Sequence, residues 1–389
     1  MDIISTVTNK FEEIFNEKGQ GVFFSPGRVN LIGEHIDYNG GLVFPCAITL
    51  GTYGVINLNE TETIRAYSLN FDQTGILEFS INDLSYNENH GWVNYVKGVL
   101  KEFKEAGHNI NKGFDILIYG TLPNGAGLSS SASLEMLIGK ILIDSFQLNM
   151  SKVDLALLGK RVENNYIGVN SGIMDQFAIS LGKKHNAIEL DCNTLNYNYA
   201  ELNFKNESIV IMNTNKRREL ADSKYNERRS QCESALEKLK AIKDINALCE
   251  LSLKDFRTIK STINNEIEIK RAHHAVAENE RVKLAMIALK NQDLNKFGKL
   301  MTESHISLRD DYEVTGIELD TLVSAALKQA GVLGSRMTGA GFGGCAIALV
   351  DNNHIDKFVE NVGIIYENEI GYKASFYIAS TSEGPSSIS

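Results

Sequence analysis

The sequence predicts an α+β fold built from more than one lobe. Strand-like and helix-like runs alternate along it without a regular β-α beat, which disfavours one doubly wound sheet. A stretch from about 216 to 330 is rich in charged residues and helical in spacing, between parts richer in strands. With 389 residues, 43% of them hydrophobic, the chain is long enough for roughly two or three domains with sizeable cores.

Each element can be justified in turn. Residues 1–18 have the apolar spacing of an amphipathic helix. From 42 to 81, "LVFPCAITL", "TYGVINL", "TIRAYSL" and "ILEFSI" are apolar or alternating runs broken by polar turns, the pattern of strands. "WVNYVKGVLKEFKEAG" returns to helical spacing, and "GFDILIYG" reads as a strand. "SSASLEMLIGKILIDSF" and "SKVDLALLGKRVENNY" read as two helices. After the charged segment come "GCAIALV" (strand), "HIDKFVENVGIIYENEI" (helix) and "KASFYIAS" (strand). No long linker, low-complexity segment or internal repeat marks a boundary. The least committed stretch lies near 195–205, which divides the chain into lobes 1–200 and 201–389.

Composition excludes several classes. A net charge of −10 provides no field to attract nucleic acid or an anionic membrane. The N-terminal stretch mixes acidic residues with apolar ones and lacks the basic flank and roughly 7-residue apolar core of a signal peptide. No run of roughly 18 apolar residues exists to span a bilayer. The five cysteines are odd in number, widely spaced and free of any C-x-x-C pair, as expected of free thiols in a reducing cytoplasm.

Three glycine-rich stretches concentrate the chemistry. In "PNGAGLSSSASLE", Gly125 and Gly127 permit dihedrals that expose successive N–H groups, with serines where a helix should begin. Such a turn aims amide donors and a positive helix end at one point, which suits phosphate; it equally suits a strand-to-helix turn whose serines merely cap. The Walker pattern G-x-x-x-x-G-K-[ST] is absent, and no lysine or arginine lies in the stretch. "SRMTGAGFGGCAIALV" contains G-x-G-x-x-G at Gly339, Gly341 and Gly344, but with the strand after it and only about 50 residues remaining, a dinucleotide fold is excluded. Those glycines either let backbone approach a ligand or form a tight hairpin. In "SPGRVNLIGEHIDYNGG", Arg28, Glu34, His35 and Asp37 crowd a loop between apolar segments. Either Arg28 forms a structural salt bridge with Glu34 or Asp37, or the carboxylates hold a polyhydroxylated ligand.

Together these stretches, with "GVNSGIMDQF" and "KYNERRSQC", resemble the kinases named for galactose, homoserine, mevalonate and phosphomevalonate, the GHMP family. The resemblance runs nearly end to end, and the first and fourth of these motifs along the chain point to its galactose-phosphorylating branch. It implies a two-lobed fold, an N-terminal lobe like domain 2 of ribosomal protein S5 and a ferredoxin-like C-terminal lobe. The implied reaction is ATP-dependent phosphorylation of D-galactose to galactose 1-phosphate, the entry to the Leloir pathway, by a cytoplasmic monomer that binds neither nucleic acid nor membrane. A kinase for N-acetylgalactosamine or another sugar, and a silent sensor of galactose and ATP, are the alternatives.

The resemblance also implies roles. Asp175 matches the family's base and Arg28 the arginine beside it. Gly125, Ala126, Gly127, Leu128, Ser129, Ser130 and Ser131 resemble the phosphate-binding loop. Ser131 and Glu163 resemble the ligands of Mg2+, the cation that would supply the charge the loop lacks. Glu34, His35, Ile36, Asp37, Gly172 and Tyr225 resemble the sugar-binding group. Trp92 and Tyr95 resemble the adenine pocket, and Ser68 is a further nucleotide-binding candidate. The family pattern has Thr at Ile36 and His at Leu42, departures that bear on fine specificity. Read without the resemblance, Asp175 could be an N-terminal helix charge, Glu163 a solvated acid, Tyr225 a packing aromatic and Trp92/Tyr95 a core pair at i, i+3. His273 and His274 diverge by about 100° on a helix and read as packing or surface residues, as does His305. The basic run "NKRRE" (215–219) reads as a solvated helix face.

Overall fold

The computed structural model describes residues 2–123, 125–216 and 221–388. Most of the basic run 215–219 and Asn124 of the glycine-rich turn lie outside the described residues. In chain order the elements are α1 (Ile3–Phe15), β1 (Gly21–Asn30), β2 (Leu42–Val43), β3 (Pro45–Leu58), β4 (Thr63–Ser68), β5 (Leu77–Ser80), α2 (Val93–Glu105) and β6 (Phe114–Gly120). Then follow α3 (Ser130–Ser145), α4 (Lys152–Arg161), α5 (Met174–Ser180), β7 (Asn186–Asp191), β8 (Tyr197–Glu201) and β9 (Glu207–Asn213). The charged segment supplies α6 (Ala221–Lys240), α7 (Leu253–Ile259), α8 (Glu266–Lys290), α9 (Leu294–Ser307) and α10 (Ile317–Leu327). Last come β10 (Val332–Thr338), β11 (Cys345–Asp351), α11 (Ile355–Ile370), β12 (Ser375–Ala379) and β13 (Ser386–Ser387).

The first lobe is a six-stranded sheet ordered β13-β1-β3-β6-β4-β5. Val7, Phe11 and Phe15 of α1, spaced to share one helical face, cover Val22, Val55 and Leu117. The other face carries α2 and α3, where Val96, Leu100 and Leu137 meet Ile56, Ile116 and Ile118. The second lobe holds the antiparallel sheet β10-β11-β9-β12, and its core is continuous with the small sheet β2-β7-β8. The α+β class therefore stands, with strands of both lobes set against helices without a repeating β-α unit. The C-terminal strand closes back onto the first sheet, where Phe23 and Phe24 pair with Ser387 and Ser386.

Three elements differ from their sequence reading. Arg28 lies on β1 rather than in a loop. The β1–β3 ladder shifts register between Pro26 and Gly27, where the proline has no N–H to donate, and strand pairing then resumes as far as Asn30. The glycine run 339–344 follows a strand, β10, that its mixed composition hid. It turns β10 into β11 as an antiparallel hairpin, with Gly339, Gly341, Gly343 and Gly344 all at positive φ. Finally, the helix expected through Tyr166 is α-helical only to Arg161 and then widens to a π-helix over Val162–Ile167. Such widened turns are rare and recur at functional sites. No helix among the described residues is long and apolar enough to cross a membrane.

Candidate active site

Between the lobes lies a cavity walled by the end of β1, the turn 34–37, the start of α5, Tyr225 of α6 and the tip of the β10–β11 hairpin. At its floor Arg28 and Asp175 form a bidentate pair, Nε to Oδ1 at 2.8 Å and Nη2 to Oδ2 at 2.7 Å. The third guanidinium nitrogen, Nη1, donates to the Gly127 carbonyl at 2.7 Å, tying the glycine-rich turn to the same arginine. Burial opposes the charge on Arg28, but Asp175 and Glu34 outweigh it and raise its pKa. The salt bridge of Arg28 with Glu34 or Asp37 considered from sequence does not form. Its partner is Asp175, 147 residues away.

Glu34 is 1% exposed and bound by the second lobe. Its Oε1 accepts from the Gly339 N–H at 2.6 Å and from Thr338 Oγ1 at 3.1 Å, and Oε2 accepts from Asn30 Nδ2 at 3.1 Å. Fully buried Arg336 approaches Oε1 at 3.5 Å. His35 also has both ring nitrogens engaged: Nε2–H donates to the Ala340 carbonyl at 3.1 Å and Nδ1 accepts from Tyr38 Oη at 2.7 Å. Burial, and then the neighbouring His274, push the His35 pKa down to about 3, so the ring is neutral. Ile36 does not reach the cavity, since its side chain is fully buried in the core. A β-branched apolar residue there answers to packing.

Asp37 points into the cavity against Gly172, where a Cβ would overlap Asp37 Oδ2. Burial, then the Asp175 and Glu34 charges, raise the Asp37 pKa to about 6. A raised carboxylate pKa means that ionisation opposes folding. That part of the stability is present in the ordinary carboxylate range and lost as pH rises through about 6. Ligand hydroxyl groups donating to the carboxylate would stabilise its charged form. Affinity for a polyhydroxylated ligand is therefore expected to rise with pH through about 6 in calorimetric titrations. In Asp37→Asn the rise should vanish. Tyr225 stacks near His35 with ring centroids 5.6 Å apart, so it is a wall of the cavity and not a core aromatic.

A neighbouring, more apolar cavity collects Ser68, Trp92, Tyr95, Asn70, Ser130 and Ser131. Trp92 Nε1 is a buried donor with no partner among the described residues. The turn between the two cavities has Gly125, Gly127 and Ser129 at positive φ and ends in the N-terminus of α3. Ala126 and Leu128 contribute backbone only, their side chains being buried in the core. Ser131 Oγ donates to Glu163 Oε1 at 2.7 Å, so the π-helix brings these two oxygens together. Burial raises the Glu163 pKa despite the Ser171 and Ser131 hydroxyls. Two adjacent oxygens fit a magnesium ion, which takes one or two protein ligands and leaves the rest to phosphate and water. No cluster of three His, Cys, Asp or Glu side chains that could hold a metal exists among the described residues. His273 and His274 diverge as expected: His274 Nε2–H donates to the Glu34 carbonyl at 3.1 Å and its Nδ1 meets Ser307 Oγ at 2.9 Å, while His273 faces Asp311.

Sequence reading missed the residues that immobilise these groups. Thr338, Gly339 and Arg336 hold Glu34, and Ala340 holds His35; Ser129, named as part of the phosphate loop, also donates its Oγ to Asp175 Oδ2 at 2.5 Å, a role its motif did not give. The glycine run signalled close backbone approach, but nothing local named its partners about 300 residues away. Glu135, one turn beyond Ser131, was missed as well. Full burial, then the Glu163 charge, raise its pKa well above the carboxylate range.

The chain has clear relatives among known proteins. The pattern described as the galactokinase galactose-binding signature matches residues 9–58, and those for the GHMP kinases N terminal domain and the GHMP kinases C terminal match 94–183 and 285–368. A galactokinase of Clostridium perfringens strain SM101 is 61% identical over 385 residues, covering 99% of this chain and 100% of the relative. One from Clostridium acetobutylicum is 56% identical over 388 residues, covering 100% of both. Among solved structures, Lactococcus lactis galactokinase complexed with galactose superposes with a TM-score of 0.97 at 51% identity and full coverage of both chains. Methanococcus jannaschii mevalonate kinase superposes at 0.69 with 21% identity, over 94% of this chain and 100% of its own, which is a likeness of fold alone. With full-length relatives at this identity and a cavity whose walls carry the family's motifs, the chain belongs to the galactokinase family of GHMP kinases.

Proposed function

We propose that the protein transfers the γ-phosphoryl group of ATP to the anomeric hydroxyl of D-galactose, giving galactose 1-phosphate and ADP. The observation that carries this reading is the Arg28–Asp175 pair at the meeting point of a polar, carboxylate-walled cavity and the glycine-rich turn. Asp175 accepts the proton of the attacking hydroxyl. Arg28 orients that carboxylate and steadies the charge that develops on the transferring group. Asp37, Tyr225 and Glu34 Oε2 receive the sugar, with the neutral His35 ring as a wall. The turn 125–131 offers amides to the phosphates, and Trp92, Tyr95 and Ser68 receive the base. Ser131 and Glu163 are the oxygens that would hold a magnesium ion, which when bound neutralises phosphate charge. A cytoplasmic location and a monomeric state complete the proposal. The free thiols of Cys46, Cys192, Cys232 and Cys249 suit a reducing compartment.

Release of ADP, measured against a panel of sugars, tests the reading. Galactose should be the best acceptor. Preference for N-acetylgalactosamine would move the protein to that branch, and binding without ADP release would make it a sensor.

Two substitutions test the sugar site. Asp37→Ala should weaken galactose binding by roughly tenfold or more, because hydroxyl groups left unpaired in a dry pocket cost about 1 to 3 kcal/mol. Gly172→Ala should do nearly the same without touching Asp37, since its Cβ forces the carboxylate aside while the far end of that side chain yields and the fold survives. Calorimetry with each ligand alone is the measurement. ATP affinity should hold in both variants, and equal losses for both ligands would mean that the lobes themselves had shifted.

A further inference from the structure

Ser129 stands where a helix-capping serine belongs, immediately before α3, yet its side chain makes no cap bond. Its backbone is left-handed, φ 62° and ψ 50°, a conformation that a side-chain-bearing residue seldom adopts. The effect is to swing the hydroxyl away from the helix and onto Asp175 Oδ2 at 2.5 Å. That oxygen also accepts from Arg28 Nη2 at 2.7 Å, whereas among the described residues Oδ1 accepts only from Arg28 Nε at 2.8 Å. A carboxylate oxygen has two in-plane lone pairs. Oδ2 is therefore full, and Oδ1 has a second lone pair that no other described residue occupies.

We infer that Ser129 is a positioning residue for the reaction proposed above: by saturating Oδ2 it commits Oδ1 to be the atom that takes the sugar's proton. The galactose O1–H bond breaks toward Asp175 Oδ1 as the O1–P bond forms. The bond from the γ-phosphorus to the β–γ bridging oxygen breaks, and ADP leaves with that electron pair. Asp175 ends neutral, its proton passing to solvent after product release. Because Ser129 lies in the same turn as the Gly127 carbonyl held by Arg28, the carboxylate orientation is also set from the phosphate-binding side of the site.

The test uses the full chain. Ser129→Ala removes the hydroxyl and keeps the strained backbone, and Ser129→Gly removes the hydroxyl while adopting positive φ freely, so at least the second folds normally. Both should lower kcat roughly tenfold or more, the weight of one charge-assisted hydrogen bond. The KM for galactose and the ADP affinity should stay within about twofold of wild type. A structural role would not produce that split. In an Asp175→Asn background, the same Ser129 changes should alter the residual rate by less than about twofold, because the group they act through is gone. Full kcat in Ser129→Gly, or losses that simply add to that of Asp175→Asn, would overturn the inference. Wild-type protein that fails to phosphorylate galactose would instead remove the reaction on which it rests.

Discussion

Asp175→Asn is expected to lower turnover by about 10² to 10⁴-fold, the usual span for a general base, with the lower end more fitting if the transfer is loose. The substitution keeps the shape of the side chain, so galactose should still bind. It cannot keep the pairing, because one carboxylate oxygen becomes an NH₂ group that faces the donors of Arg28 or Ser129. Arg28, 5% exposed at its side chain, is then a buried charge short of a partner. That costs about 1 to 3 kcal/mol of stability, moderated because the Asp175 side is 30% exposed and water can reach it. The experiment therefore pairs steady-state kinetics with calorimetry for galactose and a thermal melt. Turnover within about threefold of wild type, in folded protein, would remove Asp175 as the base.

Glu163→Gln should raise the magnesium concentration needed for half-maximal rate by roughly tenfold or more, since losing even an indirect metal contact typically costs that much. Galactose affinity should barely move. The buried Glu163 carboxyl has a raised pKa, so protons and the cation compete for it. The wild-type magnesium requirement should therefore ease as pH rises from the acid side, and in the Gln variant that dependence should flatten. An unchanged titration would leave Glu163 as no more than the hydrogen-bond acceptor of Ser131.

How much of this was legible differs from residue to residue. Regular elements with strong periodicity, such as α1, α2, β6 and α11, lie within a few residues of where the sequence put them, because each has one face or both buried. β10 was lost because "VLGSRMT" mixes Gly, Ser and Arg into a strand whose polar side chains are buried between the lobes rather than exposed. Arg28 and Asp175 were legible as motif residues, and Asp37 and Tyr225 likewise. Their pairings were not, because Arg28 has three nearby carboxylates to choose from and only the fold decides that Asp175 is opposite. Ile36 shows the converse: a motif position can face the core while both of its neighbours in sequence face the ligand cavity.

The strand β13 has a bearing on how the chain folds during synthesis. Residues 381–388 dock entirely on the first lobe: Ile48 bridges Thr381, Ser382 donates to the Ala47 carbonyl, Gly384 to that of Gly182, and Ser386–Ser387 complete the edge beside β1. A ribosome makes everything they cover before it makes them. For the time needed to translate the whole second lobe, β1 is an open sheet edge, with Arg28 at its inner end, available to any other unfinished strand. Closure of that edge must wait until these last residues have been made. Trimming these few residues should therefore harm yield and solubility in the cell more than it harms the chemistry of the molecules that do fold.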